Sequence, residues 1–173
     1  PRYQRDSTKL QRAPLGTRDR EARIALARAL DTGAQHRANH LPAAILTGEE
    51  SSPLKTRLAS AQAHYLAATE QMVALQEELD WLTYGSYGLI EPVHTVGPEA
   101  IDPVAPGHRP FAIRLARLDE EADDDEKSAW WRRHGHDRAT QIPGRHQGTQ
   151  RQRMHERLDA IDSDPRLQLL ETL

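Results

Sequence analysis

The sequence has no cysteine and very few aromatic residues, with a single Phe and an aromatic fraction of 5%. Without cysteine the chain has no disulfides, no thiolate zinc sites and no cysteine nucleophile. Because hydrophobic residues make up only 37% of the chain, the core has to be built mainly from Leu, Ile and Ala. This composition favours a mainly α-helical fold.

Long apolar runs are also missing. No stretch approaches the roughly 20 apolar residues that a membrane-spanning helix needs, and no signal-peptide pattern opens the chain. We therefore expect a cytoplasmic protein with no membrane partner. The chain begins with Pro1 rather than Met, and its first residues resemble the interior of a domain. We expect it to be a piece of a longer protein.

The net charge of -3 conceals an uneven distribution along the chain. Residues 1–23 contain seven basic and three acidic side chains, and residues 127–157 contain eight basic and two acidic ones. The stretch 49–126 between them contains five basic and sixteen acidic side chains. Two basic ends that meet in space would attract phosphate, but the same pattern also fits ordinary solvated faces.

Two apolar patterns predict helices that pack against each other. Residues 18–39 carry a stripe that includes Leu26, and residues 52–84 carry a longer one in steps of four and three. A repeat of this kind is typical of a helix packed along its length in coiled-coil fashion. We predict a long antiparallel helical hairpin, with Ser52 as the N-cap of the second helix and a stop at Gly85 and Gly88. The stripe residues of the second helix are Leu54, Leu58, Ala61, Tyr65, Ala68, Met72, Leu75, Leu79 and Leu82.

The rest of the chain predicts a smaller helical part behind a proline-rich linker. Five prolines between 91 and 110 exclude a regular helix there. Helices are expected at 111–118, at 128–133, from Thr149 with a capping box to Gln152, and after Asp164-Pro165. The buried stripe of the helix from Thr149 is predicted at Met154, Leu158 and Ile161. The acidic run 120–126 predicts a solvated loop. The predicted parts are 1–16, a hairpin at 17–90, a linker at 91–110 and a C-terminal helical subdomain at 111–173.

Motifs of catalysis and cofactor binding are absent from the sequence. It has no Pro-Pro dipeptide, no strand followed by a Gly-x-Gly turn and no phosphate-binding P-loop. Glu77 and Glu78 are neighbours in a helix, which predicts that they point to different faces. The pair His134 and His136 is flanked by arginines, which disfavour a cation. We therefore predict no catalytic, cofactor-binding or metal-binding residue, and expect the other histidines to be exposed or packed.

One run resembles a known family. Residues 75–81 read Leu-Gln-Glu-Glu-Leu-Asp-Trp and are followed at 84–89 by Tyr-x-x-Tyr-Gly-Leu, counted with Gly85 and Ser86 as the variable positions. The run resembles a segment of the PglX family of adenine-specific DNA methyltransferases, which belong to BREX phage-defence systems. Further similar segments follow the family's order, at 8–15, 111–117, 130–143 and 157–171.

The resemblance implies a parent enzyme that transfers a methyl group from S-adenosylmethionine to the amino nitrogen of adenine in DNA. This chain resembles the helical region after target recognition, and the family's catalytic and cofactor-binding residues have no counterparts in it. The resemblance implies a non-catalytic spacer that supports binding to double-stranded DNA or docks against the catalytic domain. Implied partners are double-stranded DNA, the remainder of the parent methyltransferase and other BREX proteins.

Two interpretations remain open at this point. In the first, the helical spacer contacts DNA phosphates through basic residues at both ends of the chain. In the second, the chain is a helical protein-protein interaction module with no DNA contact. In either, Trp81, Tyr84 and Tyr87 are expected to anchor packing rather than to stack on bases. The candidate phosphate-binding residues are Arg2, Arg5, Lys9, Arg12, Arg132, Arg133, Arg138 and Arg145.

Overall fold

The computed structural model describes residues 18–47, 52–96, 101–121 and 138–170. Within these ranges the chain is mainly helical and forms no β-strand, which confirms the expected fold class. The expected helix at 128–133 and residues 122–126 of the acidic run lie outside the described residues. Residues 120 and 121 of that run are helical, so the predicted loop is wrong at its start. The described helices are α1 (Arg20–Ala38), α2 (Pro42–Thr47), α3 (Leu54–Ser86), α4 (Pro110–Glu121), α5 (Gly148–Ser163) and α6 (Pro165–Leu169), with a 3-10 turn at Pro106–His108.

The long helix α3 packs against α1 and, at its other end, against residues that follow it in the chain. Along α1 the side chain of Leu26 is buried, and Ala61 is the buried residue of the first half of α3. The guanidinium of Arg37 lies 5.4 Å from the centre of the Tyr65 ring. The short helix α2, which the sequence did not predict, packs beside α3 in the connection between the two.

Burial along α3 departs from the predicted stripe. Leu54, at its start, is 46% exposed, and Leu75 and Leu79 are only half-buried. In the last third of the helix the buried residues are spaced by three and four positions. Apart from Leu82, none of them belongs to the predicted stripe. This face is covered by segments beyond residue 89, which a pattern within the helix does not reveal. Its buried residues are Ala74, Glu77, Glu78, Trp81, Leu82 and Gly85.

The two ends of α3 are formed differently from the prediction. Pro53 is the N-cap residue and no side chain caps the helix, so the predicted Ser52 cap is wrong. At the C-terminal end Gly88 adopts a φ of 69°, and the Leu89 N–H donates to the Tyr84 carbonyl over 2.9 Å. This geometry is a Schellman motif, in which a left-handed residue terminates the helix. Gly88 is therefore the stop, as predicted.

Gly85 has a different role from the predicted one. It is buried within α3, and a Cβ atom built on it would lie only 2.2 Å from Cγ2 of Val93. Glycine at this position allows the segment after α3 to pass close to the helix backbone. That contact turns the chain back toward the buried face of α3.

Two apolar clusters form the core around α4 and α5. Trp81, Ile90, Ile161 and Leu167 make one, and Ile113, Ile142, Met154 and Leu158 make the other. The predicted α5 stripe at Met154, Leu158 and Ile161 is therefore confirmed.

The caps predicted for the C-terminal helices had mixed outcomes. The start of α5 is not the predicted capping box, because Gln147 precedes the helix and no side chain caps it. The predicted start of α6 is confirmed, since Asp164 accepts a hydrogen bond from the Arg166 N–H over 2.9 Å with proline at the first position. No helix among the described residues is long and apolar enough to cross a membrane.

Candidate functional site

Three acidic residues at the end of α3 form the most polar part of the interior. Glu77 and Glu78 are each 2% exposed, and Asp80 lies one turn further along, half-buried. A buried carboxylate is costly unless it is paired with a cation and hydrogen-bonded. In this structure two arginines from distant parts of the chain provide that pairing. We call these three acids, Trp81, Arg109 and Arg157 the ion-pair cluster.

Arg109 precedes α4 and connects it to α3. Its Nε donates to Oε2 of Glu77 over 2.5 Å, and its Nη2 donates to Oδ2 of Asp80 over 2.6 Å. Burial by itself lowers the pKa of Arg109, but the charges of Glu77 and Asp80 outweigh burial and raise the pKa. The guanidinium therefore remains charged and holds the end of the proline-rich segment against the long helix.

Arg157 reaches the same acids from α5 and is almost completely buried. Its Nη2 donates to Oε1 of Glu78, and its Nη1 lies 3.8 Å from Oε1 of Glu77. Its Nε donates to the His94 carbonyl over 2.8 Å, and Oε2 of Glu78 accepts from the Val96 N–H over 2.8 Å. The prediction that Glu77 and Glu78 point to different faces is thus wrong, because one guanidinium contacts both carboxylates.

Trp81 is the aromatic centre of the ion-pair cluster and is fully buried. Its indole Nε1 donates to Oε1 of Glu77 over 2.7 Å, and the guanidinium carbon of Arg157 lies 5.3 Å from its ring centre. The Phe111 ring stacks on it at 6.4 Å and 30°. The indole is therefore held by polar contacts on its edge and by packing on its faces. The prediction that Trp81 anchors packing is confirmed.

The two tyrosines beyond Trp81 differ from each other. Tyr84 packs edge-on against Trp81, with ring centres 5.8 Å apart, and is half-buried. Burial first, and then the charges of Asp80 and Glu77, raise the pKa of Tyr84 to about 12. Tyr87 is 49% exposed, so its predicted anchoring role is wrong. Tyr87 lies on the exposed side of the end of α3, just before the helix stops at Gly88.

The chemistry available to the ion-pair cluster is limited by its burial. Burial raises the pKa of Glu78, and Arg157 and the Val96 N–H offset only part of that rise. The carboxylate and guanidinium groups pair with one another and with the Trp81 indole, the His94 carbonyl and the Val96 N–H. The arrangement holds α3, residues 94–96, Arg109 and α5 together, and it fits a structural role rather than general acid-base chemistry.

Beside the ion-pair cluster lies an open cleft of about 430 Å³ between the chain that follows α3 and the end of α5. We call it the acidic cleft, because four carboxylates line it and its main cation, Arg166, already pairs with Asp164 over 2.7 Å. Arg166 also donates to the Leu89 carbonyl over 2.7 Å, which ties α6 to the cleft wall. Apolar side chains lie between the acids. The cleft is lined by Leu89, Ile90, Glu91, Pro92, His94, Glu156, Asp159, Ala160, Ser163, Asp164, Arg166 and Leu167.

Of the candidate phosphate-binding residues, Arg138 and Arg145 lie in the described part of the chain. Arg138 is half-buried, and its Nη2 approaches the Ala116 carbonyl at 3.4 Å. Arg145 is 43% exposed along its side chain and pairs with Glu70 of α3 at 3.3 Å. Both arginines thus contact protein groups. Arg2, Arg5, Lys9, Arg12, Arg132 and Arg133 lie outside the described residues.

The described histidines are exposed or packed, as expected. His134 and His136 lie outside the described residues, while His146 is buried with its ring 6.0 Å from that of His108. Across the described ranges, no group of three or more His, Asp or Glu side chains is arranged to hold a metal ion. The sequence pattern did not single out His36 and His40, which are four residues apart and have their Nε2 atoms 3.4 Å from each other.

The ion-pair cluster was also missed by sequence reasoning, although a signal for it existed. The three acids and Trp81 lie in a helix whose predicted apolar stripe continues to Leu82. The helix face that carries the acids therefore borders the interior. Their partners Arg109 and Arg157 lie 32 and 79 residues away from the glutamates that they contact. No pattern within the helix identifies them.

Comparison with known proteins identifies the class to which this folded region belongs. Residues 72–173 match a family described as "Domain of unknown function (DUF7008)", which covers the ion-pair cluster and the acidic cleft, and the chain belongs to this family. No solved structure matches the chain.

A curated relative gives a more particular likeness. The chain is 34% identical over 174 residues to the protein named adenine-specific methyltransferase PglX from Streptomyces coelicolor. The alignment covers 98% of this chain but only 14% of that protein. The chain is thus a region of a PglX-type protein, as the motif at 75–81 indicated.

Proposed function

We propose that this chain is a non-catalytic helical segment of a cytoplasmic, PglX-type DNA adenine methyltransferase, and that it docks against the rest of that enzyme. The observation that carries the proposal is the likeness of nearly the whole chain to 14% of a methyltransferase. The ion-pair cluster supports it, since its buried charges pair with one another and hold the helices together. We further propose that the parent uses S-adenosylmethionine and acts in a BREX phage-defence system with other BREX proteins.

The non-catalytic part of the proposal is tested on the chain by itself. We expect calorimetric titration with S-adenosylmethionine to be flat, and no methyl transfer to DNA, because the sequence lacks the loops that hold the cofactor and the flipped adenine. Saturable cofactor binding to the isolated chain would contradict the proposal.

The acidic cleft is the surface that best fits docking within the parent. It is open and lined by apolar side chains and four carboxylates, and Asp159 is an exposed member of it on α5. Charge complementarity favours a basic segment of the parent as its occupant. Opposite charges across an interface favour docking and like charges oppose it, so reversing one charge should weaken docking.

A chimera tests this surface. This chain replaces the corresponding region of the Streptomyces coelicolor relative, and adenine methylation of DNA is measured. We expect Asp159→Arg to reduce methylation, whereas Ala63→Arg, an exposed change on α3 away from the cleft, should not. Equal activity of the two variants, both verified as folded by circular dichroism, would exclude the cleft as the docking surface.

DNA binding is the second candidate function, and the observation that favours it is the positive balance of residues 1–23 and 127–157. Lysine and arginine contacts to phosphates release counterions, so the logarithm of the affinity falls with the logarithm of salt by about 0.9 per contact. We expect replacing Arg2, Arg5, Lys9 and Arg12 by Gln to reduce this slope. The control replaces Arg28 and Lys55, which are exposed and lie outside both basic stretches, and it should leave the slope unchanged.

The two candidate functions give different salt titrations. A steep slope that falls in the first set of variants but not in the control set supports phosphate contacts. Absence of measurable binding to double-stranded DNA at about 50 mM salt would leave the alternative, a helical protein-protein interaction module with no DNA contact.

We also propose that α1 and α3 form an antiparallel, coiled-coil-like hairpin. Contacts between the helices support this arrangement, because residues further along the first helix contact residues further back along the second. Gly33 is close to Met72, whereas His40, just beyond α1, is close to His64. The chain has no cysteine, so Gly33→Cys with Met72→Cys tests the pairing directly. We expect an intramolecular disulfide on oxidation. Intermolecular bridges alone would show that the helices pair between copies.

The division into parts at 16, 90 and 110 also stays a prediction. The ion pairs of Arg109 and Arg157 join α3 to the parts that follow it, so we propose that the C-terminal half of α3, α4 and α5 unfold together. Limited proteolysis followed by mass spectrometry would test this, with early cleavage expected outside these helices.

A further inference from the structure

Two histidines at the C-terminal end of α1 face the same side. His36 lies in the last turn of the helix and His40 lies just beyond it, four residues later, which places both on one face. Their Nε2 atoms are 3.4 Å apart and their ring centres 4.7 Å apart. His36 is exposed and His40 is half-buried, so solvent reaches the pair. We call these two residues the histidine pair.

The separation of the two nitrogens matches the requirement of a tetrahedral metal ion. Histidine nitrogens bind Zn²⁺ at about 2.0–2.1 Å, which places two such ligands of a tetrahedral ion roughly 3.3–3.4 Å from each other. A hydrogen bond between the two rings explains the same distance in the metal-free protein, since one ring then donates and the other accepts. An ion that replaces the shared proton keeps this nitrogen separation and requires both rings to turn their Nε2 lone pairs toward it.

A third histidine holds His40 in place from the side of α3. The ring of His64 lies 4.9 Å from that of His40 at a tilt of 32°.

The nearby cations are occupied elsewhere. The guanidinium of Arg37 lies over the Tyr65 ring, and Nη2 of Arg57 donates to the Ile45 carbonyl. The positive charge of Arg37 and Arg57 disfavours a strongly hydrated cation that binds only by electrostatic attraction. A borderline-soft ion that forms bonds to imidazole nitrogen is affected less.

We propose that the histidine pair is a binding site for a divalent transition-metal ion such as Zn²⁺ or Ni²⁺, with water completing its coordination. The pair provides two protein ligands, which agrees with the lack of any group of three or more ligands in the described ranges. The ion fixes the end of α1 beside α3, where His64 packs on His40. This site is independent of the function proposed above.

The test uses the complete 173-residue chain without an affinity tag, titrated calorimetrically with ZnCl₂, NiCl₂ and MgCl₂ at neutral pH. We expect one equivalent of Zn²⁺ or Ni²⁺ to bind and Mg²⁺ not to bind, because Mg²⁺ prefers oxygen ligands. His36→Gln and His40→Gln should each weaken binding by about tenfold or more. His155→Gln, an exposed histidine on α5, is the matched control and should leave binding unchanged.

A second measurement separates a lost site from a lost fold. Zn²⁺ should raise the melting temperature of the wild-type chain and of His155→Gln, but not that of His36→Gln, since a ligand of the native state stabilises it. His36 is exposed, so its replacement should leave the metal-free melting temperature unchanged. Absence of saturable binding to the wild type would overturn the proposal. So would binding to His36→Gln and His40→Gln that is as tight as binding to the wild type.

Discussion

Replacing Arg157 by Met tests the ion-pair cluster most directly. The substitution keeps an unbranched side chain of similar length but removes the guanidinium that contacts Glu78, Glu77 and the His94 carbonyl. Glu78 then remains buried without its cation. Because an unpaired buried charge is expensive, we expect Arg157→Met to lower the free energy of unfolding by about 3–5 kcal/mol.

The loss of unfolding free energy in Arg157→Met should depend on pH, because it comes from a buried carboxylate. Burial already raises the pKa of Glu78 above its ordinary value of 4.5, and removing Arg157 removes a group that lowers it. The folded variant then holds a proton more tightly than the unfolded chain does, so its stability falls as the pH rises above 4.5. We expect the penalty to be largest near neutral pH and to shrink toward pH 4.5.

Urea denaturation followed by tryptophan fluorescence and circular dichroism measures these effects, and two variants serve as controls. Arg153→Met removes an arginine from the same helix that pairs with Glu156 at the surface, and should change stability by less than about 1 kcal/mol. Adding Glu78→Gln to Arg157→Met removes the stranded charge but keeps an acceptor for the Val96 N–H. The double variant should recover part of the loss.

An Arg157→Met variant no less stable than Arg153→Met would contradict a stabilising buried ion pair. So would a loss of stability that is independent of pH and is not recovered in the double variant. In that case the arginine would contribute mainly through apolar contacts of its stem with Trp81 and not through charge.

Three further changes test other parts of the structure. Trp81→Ala should lower the free energy of unfolding by about 3–5 kcal/mol in urea denaturation; an unchanged melting temperature with loss of single-stranded DNA binding would favour base stacking instead. Gly85→Ala should destabilise by about 1–3 kcal/mol because its Cβ would overlap Val93, and Val93→Ala in the same chain should relieve the loss; no relief would disprove the contact. Burial, then Arg145 and His108, lower the pKa of His146 below 6.5, so the unfolded chain binds the proton more tightly and stability is lost as the pH falls through and below 6.5. His146→Gln should flatten that dependence in thermal unfolding followed between about pH 7 and pH 5, and an unchanged pH profile would contradict the assignment.

Some features of this protein follow from local sequence alone. The stripe at Met154, Leu158 and Ile161 places three side chains on one side of α5, and Asp164-Pro165 starts α6. Each of these depends on residues within about one helical turn, where propensity, capping and amphipathicity act directly. The family resemblance was also present in local sequence, since the run at 75–81 is continuous and specific.

Other local signals were overridden by the surroundings. Ser52 and Thr149 have the residue types of helix caps, yet neither caps its helix, because the N-cap lies one residue later in the first case and two residues earlier in the second. Helix boundaries depend on the path of the entering chain, which the pattern does not contain. The pair His36 and His40 had the spacing of a chelate, but only the folded end of α1 shows that their nitrogens are 3.4 Å apart.

The tertiary structure alone decided which charges are buried. Acidic and basic side chains are almost always exposed, so local sequence assigns Glu77, Glu78 and Arg157 to the surface. Their burial is tolerable only because the fold brings a cation from 79 residues away to Glu78 and another from 32 residues away to Glu77. Neither partner is stable in the interior without the other, so their position is a property of the assembled fold and of no single segment.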